Sequence, residues 1–178
     1  NCWAHHKVLQ AVLELKKEHD IRPEDVAHVY VDLQMDKPTY RYRIPKTDLE
    51  ARYSLSYGIA AALLDGELTL EQYTDQRVHS ADCADMMERI VDVPAEGDAQ
   101  QNVVIELRDG SRLEKRIRYS KGHPLHDPLT LEEVCGKYRT CAGRMLPPEQ
   151  VESSMEAILH LEEAQDLRKV MDLLVAAP

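Results

Sequence analysis

The sequence predicts an α+β fold, in which a small, mostly antiparallel sheet is covered by helices. Three observations predict it. The stretch HVYVDLQ, residues 28 to 34, alternates β-branched and polar residues as a half-buried strand does. The stretch NVVIELRDGSRLEKRIRYS, residues 102 to 120, places two strand-like runs around Asp109-Gly110, a residue pair that tight hairpin turns favour. Between and around these runs, apolar residues recur at helical spacing. Strands grouped apart from helices, with no regular βαβ alternation, give an α+β arrangement.

Each element follows in order. His5 to Glu18 reads as a helix, because Val8, Leu9, Val12, Leu13 and Leu15 form a stripe opposite Lys7, Glu14 and Lys17. DIRPED is a turn broken by Pro23, and the first strand follows it. Residues 35 to 48 carry Pro38 and Pro45 and no helical period, so they read as a long loop. Residues 49 to 66, LEARYSLSYGIAAALLDG, are apolar on most faces and stop at Gly66, which marks a buried helix with a glycine C-cap. LTLEQYTDQRV and SADCADMMERI give two shorter helices, and RIVDVP a short strand. After the hairpin, KGHPLHDPLT is a loop. Thr130 and Glu133 have the spacing of a capping box at the head of the next helix. PPEQ opens a further helix with proline in its first turn, and residues 149 to 175 form one or two amphipathic helices.

At 178 residues the chain is long enough to bury a core without staples. Its net charge of −10 argues against a nucleic-acid or anionic-membrane surface, while leaving room for a small basic pocket. No apolar run approaches the ~20 residues that a membrane span needs. Cys2, Cys83, Cys135 and Cys141 form no C-x-x-C pair and no framework spacing, so they read as reduced thiols of a cytoplasmic protein. Phosphate-binding glycine loops, the G-x-S-x-G elbow and H-E-x-x-H are missing from the sequence. His123 and His126 have H-x-x-H spacing beside Asp127, but the third and fourth ligands of a metal have no candidate.

Three stretches carry chemically capable side chains. His5 falls within the stripe of Val8 and Val12, and His6 falls at its edge. The pair reads as a general base or carboxylate contact at a cleft, or as one packed and one solvated histidine. Adjacent helical positions point about 100° apart, so the two do not share one task. In ARYSLSYG, residues 51 to 58, Arg52, Ser54, Ser56 and Tyr57 interrupt an apolar helix. Buried hydroxyls need partners, so these residues either face a cavity or cap backbone at a helix start. Arg52 can hold a carboxylate in bidentate fashion. Lys121, His123 and Lys137 offer positive charge to an anion, or belong to a surface loop and a surface helix.

Taken in order, these stretches resemble the MmgE/PrpD family, which includes 2-methylcitrate dehydratase, cis-aconitate decarboxylase and iminodisuccinate epimerase. HKVLQA at 6 to 11 is similar to the family's histidine-headed H-x-x-I-D-A helix. RPEDVAHVYV, EARYSLSYGIAAALLDG and GHPLHDPLTLEEVCGKY fit its later segments. The sequence departs from the family at Gln10, where an acid is usual, at Tyr53 for phenylalanine and at Ser56 for proline. A lysine that the family carries shortly before the histidine is missing too.

The resemblance implies a C-terminal α+β domain over 1–145, with helices 146–178 returning to an all-helical domain supplied by an N-terminal half or a partner chain. It implies a homodimer, no metal and no organic cofactor. The implied substrate is a small di- or tricarboxylic acid reacting at a carbon next to a carboxylate, by dehydration, decarboxylation or epimerisation. His6 would be an acid/base or carboxylate contact and Tyr57 a proton donor or orienting hydroxyl. His5, Arg52 and Ser54 would contact substrate or support those that do. A non-catalytic binding or assembly module is the competing expectation, favoured by the missing helical half.

Overall fold

A computed structural model describes residues 2–33, 42–97 and 102–176. The chain forms two compact units, 1–121 and 122–178.

The first unit begins with a 3-10 turn, Trp3–His5, that runs into α1, His6–Glu18. A second 3-10 turn at Pro23–Asp25 delivers the chain to β1, Val26–Val31. Then come α2, Asp48–Ala51, α3, Leu55–Asp65, α4, Asp75–Val78, and α5, Ala81–Glu88. The strands β2, Ile90–Asp92, β3, Asn102–Leu107, and β4, Arg112–Arg116, complete the unit.

The sheet order is β2-β1-β3-β4. β3 pairs antiparallel with both β1 and β4, while β2 lies parallel to β1 after the helical crossover. A register shift between Val26 and His28 bulges β1, which lets Val26 and Val29 both turn inward. Val29, Val31, Ile90, Val103 and Ile105 are buried with the helices, whereas His28, Tyr30, Val104, Glu106, Arg112 and Glu114 stay half-buried or exposed on the opposite face. Within this unit, therefore, helices cover one face of the sheet. The other face holds a polar ladder centred on Glu106, which accepts from Arg112 at 2.7 Å beneath the stacked Tyr30 ring.

The residues read as one buried helix over 49 to 66 are two. Thr47 caps α2, and the chain breaks at Arg52 to Ser54 before Ser54 caps α3. The break follows from chemistry, because a serine hydroxyl satisfies N-terminal amides better from a cap than from mid-helix. α3 is buried on every face from Leu55 to Leu63. It packs between α1 and α5, and Gly66 closes it with φ 75°. Gly58 makes its approach to α1 possible, since a Cβ there would stand 2.9 Å from Leu9. Arg77 joins the end of α3 to α5 through Asp65 at 2.6 Å and Asp82 at 2.8 Å.

The β3–β4 turn is a three-residue loop rather than a two-residue one. The Leu107 N–H donates to the Ser111 carbonyl at 2.8 Å to close the loop, and Gly110 takes the left-handed position at φ 86°.

The second unit holds α6, Leu131–Ala142, α7, Pro148–Leu159, and α8, Leu167–Asp172. Thr130 and Glu133 form the expected capping box, and Pro148 opens α7. Arg139 grips Glu152 with bonds of 2.6 and 2.8 Å, and Tyr138 meets Ser154 at 2.8 Å. Leu131, Met145, Leu167 and Met171 are exposed. No helix among the described residues is long and apolar enough to cross a membrane, and the four cysteines are free.

Candidate functional site

The candidate site lies in the first unit, where the start of α1 meets the α2–α3 break. The Cys2 N–H donates to the Arg52 carbonyl at 2.8 Å, which fixes the turn before α1 beside Arg52. One turn deeper, Leu9 packs on Gly58. His5 lies in the intervening turn.

The two histidines have opposite environments. His5 is fully buried and His6 is exposed. Burial lowers the His5 pKa from 6.5 to about 4. His5 is therefore neutral near pH 7 and packs as part of the core, whereas His6 presents its ring to solvent from the first turn of α1. A measurable consequence follows. Between pH 6.5 and 4 the unfolded chain takes up a proton at His5 that the folded chain refuses. Stability from this group is present above the unfolded pKa of 6.5 and is lost as pH falls through it, by about 3 kcal/mol once pH is below 4. Urea unfolding at pH 7 and pH 4.5 should show that loss in the parent protein, and a smaller one in His5→Leu.

Arg52 is exposed at the end of α2 and is bound at 2.9 Å to Asp48, an i,i+4 pair. Such pairs are weak, so the guanidinium is available to a stronger anion. Ser54 is buried. Its hydroxyl accepts from the Tyr57 N–H at 3.1 Å and lies 3.1 Å from the Ser56 hydroxyl, which in turn donates to the Arg43 carbonyl. Tyr57 is fully buried in α3. Its hydroxyl donates to the Gln72 carbonyl, its ring stands edge-on to Tyr73 at 5.8 Å, and burial raises its pKa. The Cys2–Arg52 bond thus ties the turn before α1 to the α2–α3 break, at which Ser54 caps α3, while the Tyr57 side chain is turned toward Gln72 and Tyr73.

The polar face of α1 carries more than sequence spacing revealed. His6, Gln10, Glu14 and Glu18 follow one another every four residues. Gln10 donates to Glu14 at 2.8 Å and accepts the Lys121 N–H at 2.7 Å. Lys115 reaches Glu14 at 2.9 Å and Glu18 at 2.5 Å. The i,i+4 stripe was visible in the sequence, but the strand tail lying along it was not.

The remaining candidates lie in the second unit. His123 and Asp127 bridge a tight exposed loop, with the rings of His123 and His126 4.7 Å apart. Lys137 is exposed on α6. His160, Glu162 and Glu163 gather ligand atoms within 4.8 Å of one another at the exposed end of α7.

Residues 1–163 match the model of the MmgE/PrpD C-terminal domain. The chain belongs to the MmgE/PrpD family. It is similar to cis-aconitate decarboxylase of Mus musculus, 29% identical with 73% of this chain and 28% of that protein covered. It is likewise similar to cis-aconitate decarboxylase of Homo sapiens, 26% identical over 95% of this chain and 37% of the relative. An Aspergillus terreus protein of the same name is 23% identical over 97% of this chain and 39% of the relative. The chain thus spans less than two fifths of the length of these MmgE/PrpD relatives, with His6 at the head of the first helix of the matched region.

Proposed function

We propose that this chain is the C-terminal part of an MmgE/PrpD-type lyase or isomerase acting next to a carboxylate of a small di- or tricarboxylic acid. The observation that carries the reading is the family match over residues 1–163, with an exposed His6 heading HKVLQA, the stretch that resembles the family's H-x-x-I-D-A. The low identities and partial coverage make it a reading of reaction class rather than of one substrate.

The chemistry follows from the two side chains. Arg52 holds a substrate carboxylate, and the first turn of α1, which contains no acidic residue, adds the positive end of a helix dipole. His6 then moves the proton. In dehydration its neutral ring takes the proton from the carbon next to the carboxylate. The C–H electron pair forms the double bond, and the hydroxyl on the adjacent carbon leaves with a proton as water. In epimerisation the same carbon is deprotonated and then reprotonated on its other face. In decarboxylation the C–CO2 bond breaks, its electron pair stays on carbon, and imidazolium returns a proton there. Ser54 caps α3, and Tyr57 ties it to the Gln72 carbonyl. The partner implied is a helical domain, from an N-terminal half or a second chain, and the helices of 146–178 would return to it; exposed Leu167 and Met171 support that. A homodimer fits the same reading.

The test is an assay of the full-length gene product with cis-aconitate, 2-methylcitrate and iminodisuccinate, following released CO2 and products by NMR. Turnover of one of them is the expected result. Failure to bind or convert any of the three overturns the reading.

A further inference from the structure

One pocket of the first unit contains none of the residues assigned above. It has a volume of about 290 Å3 and is lined by Arg43 and Ile44, which precede α2, and by Ala84, Met87 and Glu88 of α5. The three α5 residues share a helical face through their i, i+3 and i+4 spacing. Arg43 is fixed at both ends. Its carbonyl accepts from the Ser56 hydroxyl in the first turn of α3, and its Nη2 donates to the Ile90 carbonyl at 2.9 Å. Ile90 stands two residues beyond Glu88, so the guanidinium lies at the C-terminal end of α5. Among the described residues, Arg43 and Glu88 form no ion pair with each other, and Glu88 has no other ion-pair partner. The bond to Ile90 uses one N–H of a five-donor fork and leaves the others for an anion. The rest of the lining is apolar. Met87 is buried, whereas Ile44 is 70% exposed, an apolar surface that a ligand would cover.

We propose that this pocket binds a small α-amino acid with an apolar side chain of about the size of leucine's. Arg43 takes the carboxylate, Glu88 takes the ammonium, and Ile44, Ala84 and Met87 hold the side chain. A cation and an anion that line one pocket without neutralising each other select a zwitterion. A plain acid or a plain amine leaves one of the two charges unanswered. The negative end of the α5 dipole adds to the pull on the ammonium. The volume lies at the bottom of the ~300–1,000 Å3 range of ligand pockets, which is too small for a peptide or a nucleotide. The inference does not depend on the function proposed above.

The test is calorimetric titration of the full-length protein with three probes. They are L-leucine, isocaproate, which is leucine without its amino group, and isopentylamine, which is leucine without its carboxylate. Leucine should bind, and each analogue should bind at least about tenfold more weakly. Glu88→Gln should weaken leucine about tenfold and leave isocaproate within about threefold of the parent. Ala84 is exposed on α5, so Ala84→Leu fills the pocket without entering the core. That variant should lose leucine binding while its melting temperature holds. Absence of leucine binding at millimolar concentration would overturn the proposal. Isocaproate binding as tightly as leucine would overturn it too, by making the site one for plain acids. Leucine binding that survives both Glu88→Gln and Ala84→Leu would place the ligand elsewhere and overturn the assignment of this pocket.

Discussion

Replacing His6 by Ala in the full-length enzyme should lower kcat by at least ~10²-fold, the usual contribution of a positioned acid or base. The melting temperature should hardly change, because His6 is exposed and makes no part of the core. The neighbouring histidine gives the contrast. His5 is buried, and its basicity is depressed to a pKa of about 4, so at neutral pH it is a neutral imidazole packed in the core. His5→Ala should therefore lower stability first, and activity only as far as the fold suffers. Measuring kcat and thermal unfolding for both variants separates the two roles that adjacent positions on one helix impose. Full activity in His6→Ala would end its assignment as the acid/base group. A proportionate fall in kcat and melting temperature would make His6 a structural residue instead.

Much of this arrangement was legible in the sequence because it depends on local chemistry. The alternating runs around Asp109-Gly110, the Thr130–Glu133 cap and Pro148 each act within a few residues, and the structure places them as read. The stripe of Val8 and Val12 already put His5 on the inner side of α1. What the sequence did not show depends on distant partners. The break at Arg52 to Ser54 turns on whether the Ser54 hydroxyl caps or faces a cavity, and helical apolarity is the same either way. The parallel pairing of β2 with β1 joins segments separated by four helices. The contact between Gln10 and Lys121 spans 111 residues, and no spacing rule reaches that far. The family resemblance sets His6 apart from His5, and their opposite burial adds a physical reason to that order.

Tyr57 poses the sharper question, since the resemblance implies a proton donor or an orienting hydroxyl and its hydroxyl is bound to a backbone carbonyl in the core. Its hydroxyl is donated to the Gln72 carbonyl inside the core. Gln72 in turn holds its own turn closed, accepting from the Thr69 N–H at 2.8 Å and the Thr69 hydroxyl at 3.0 Å. Tyr57→Phe should thus cost about 1–3 kcal/mol, because it leaves a buried carbonyl without its donor. Tyr57→Ala should cost about 3–5 kcal/mol, since it also empties the space against Tyr73. These costs are measured by chemical unfolding. Activity per folded molecule then decides the role. If Tyr57 only supports α3, Tyr57→Phe keeps kcat within a few-fold of the parent at a temperature where both are folded. If the phenol leaves Gln72 to protonate substrate, the same variant loses kcat by ~10²-fold or more with little loss of stability. The raised pKa favours the first outcome, because a phenol held protonated by burial is a poor source of protons at neutral pH.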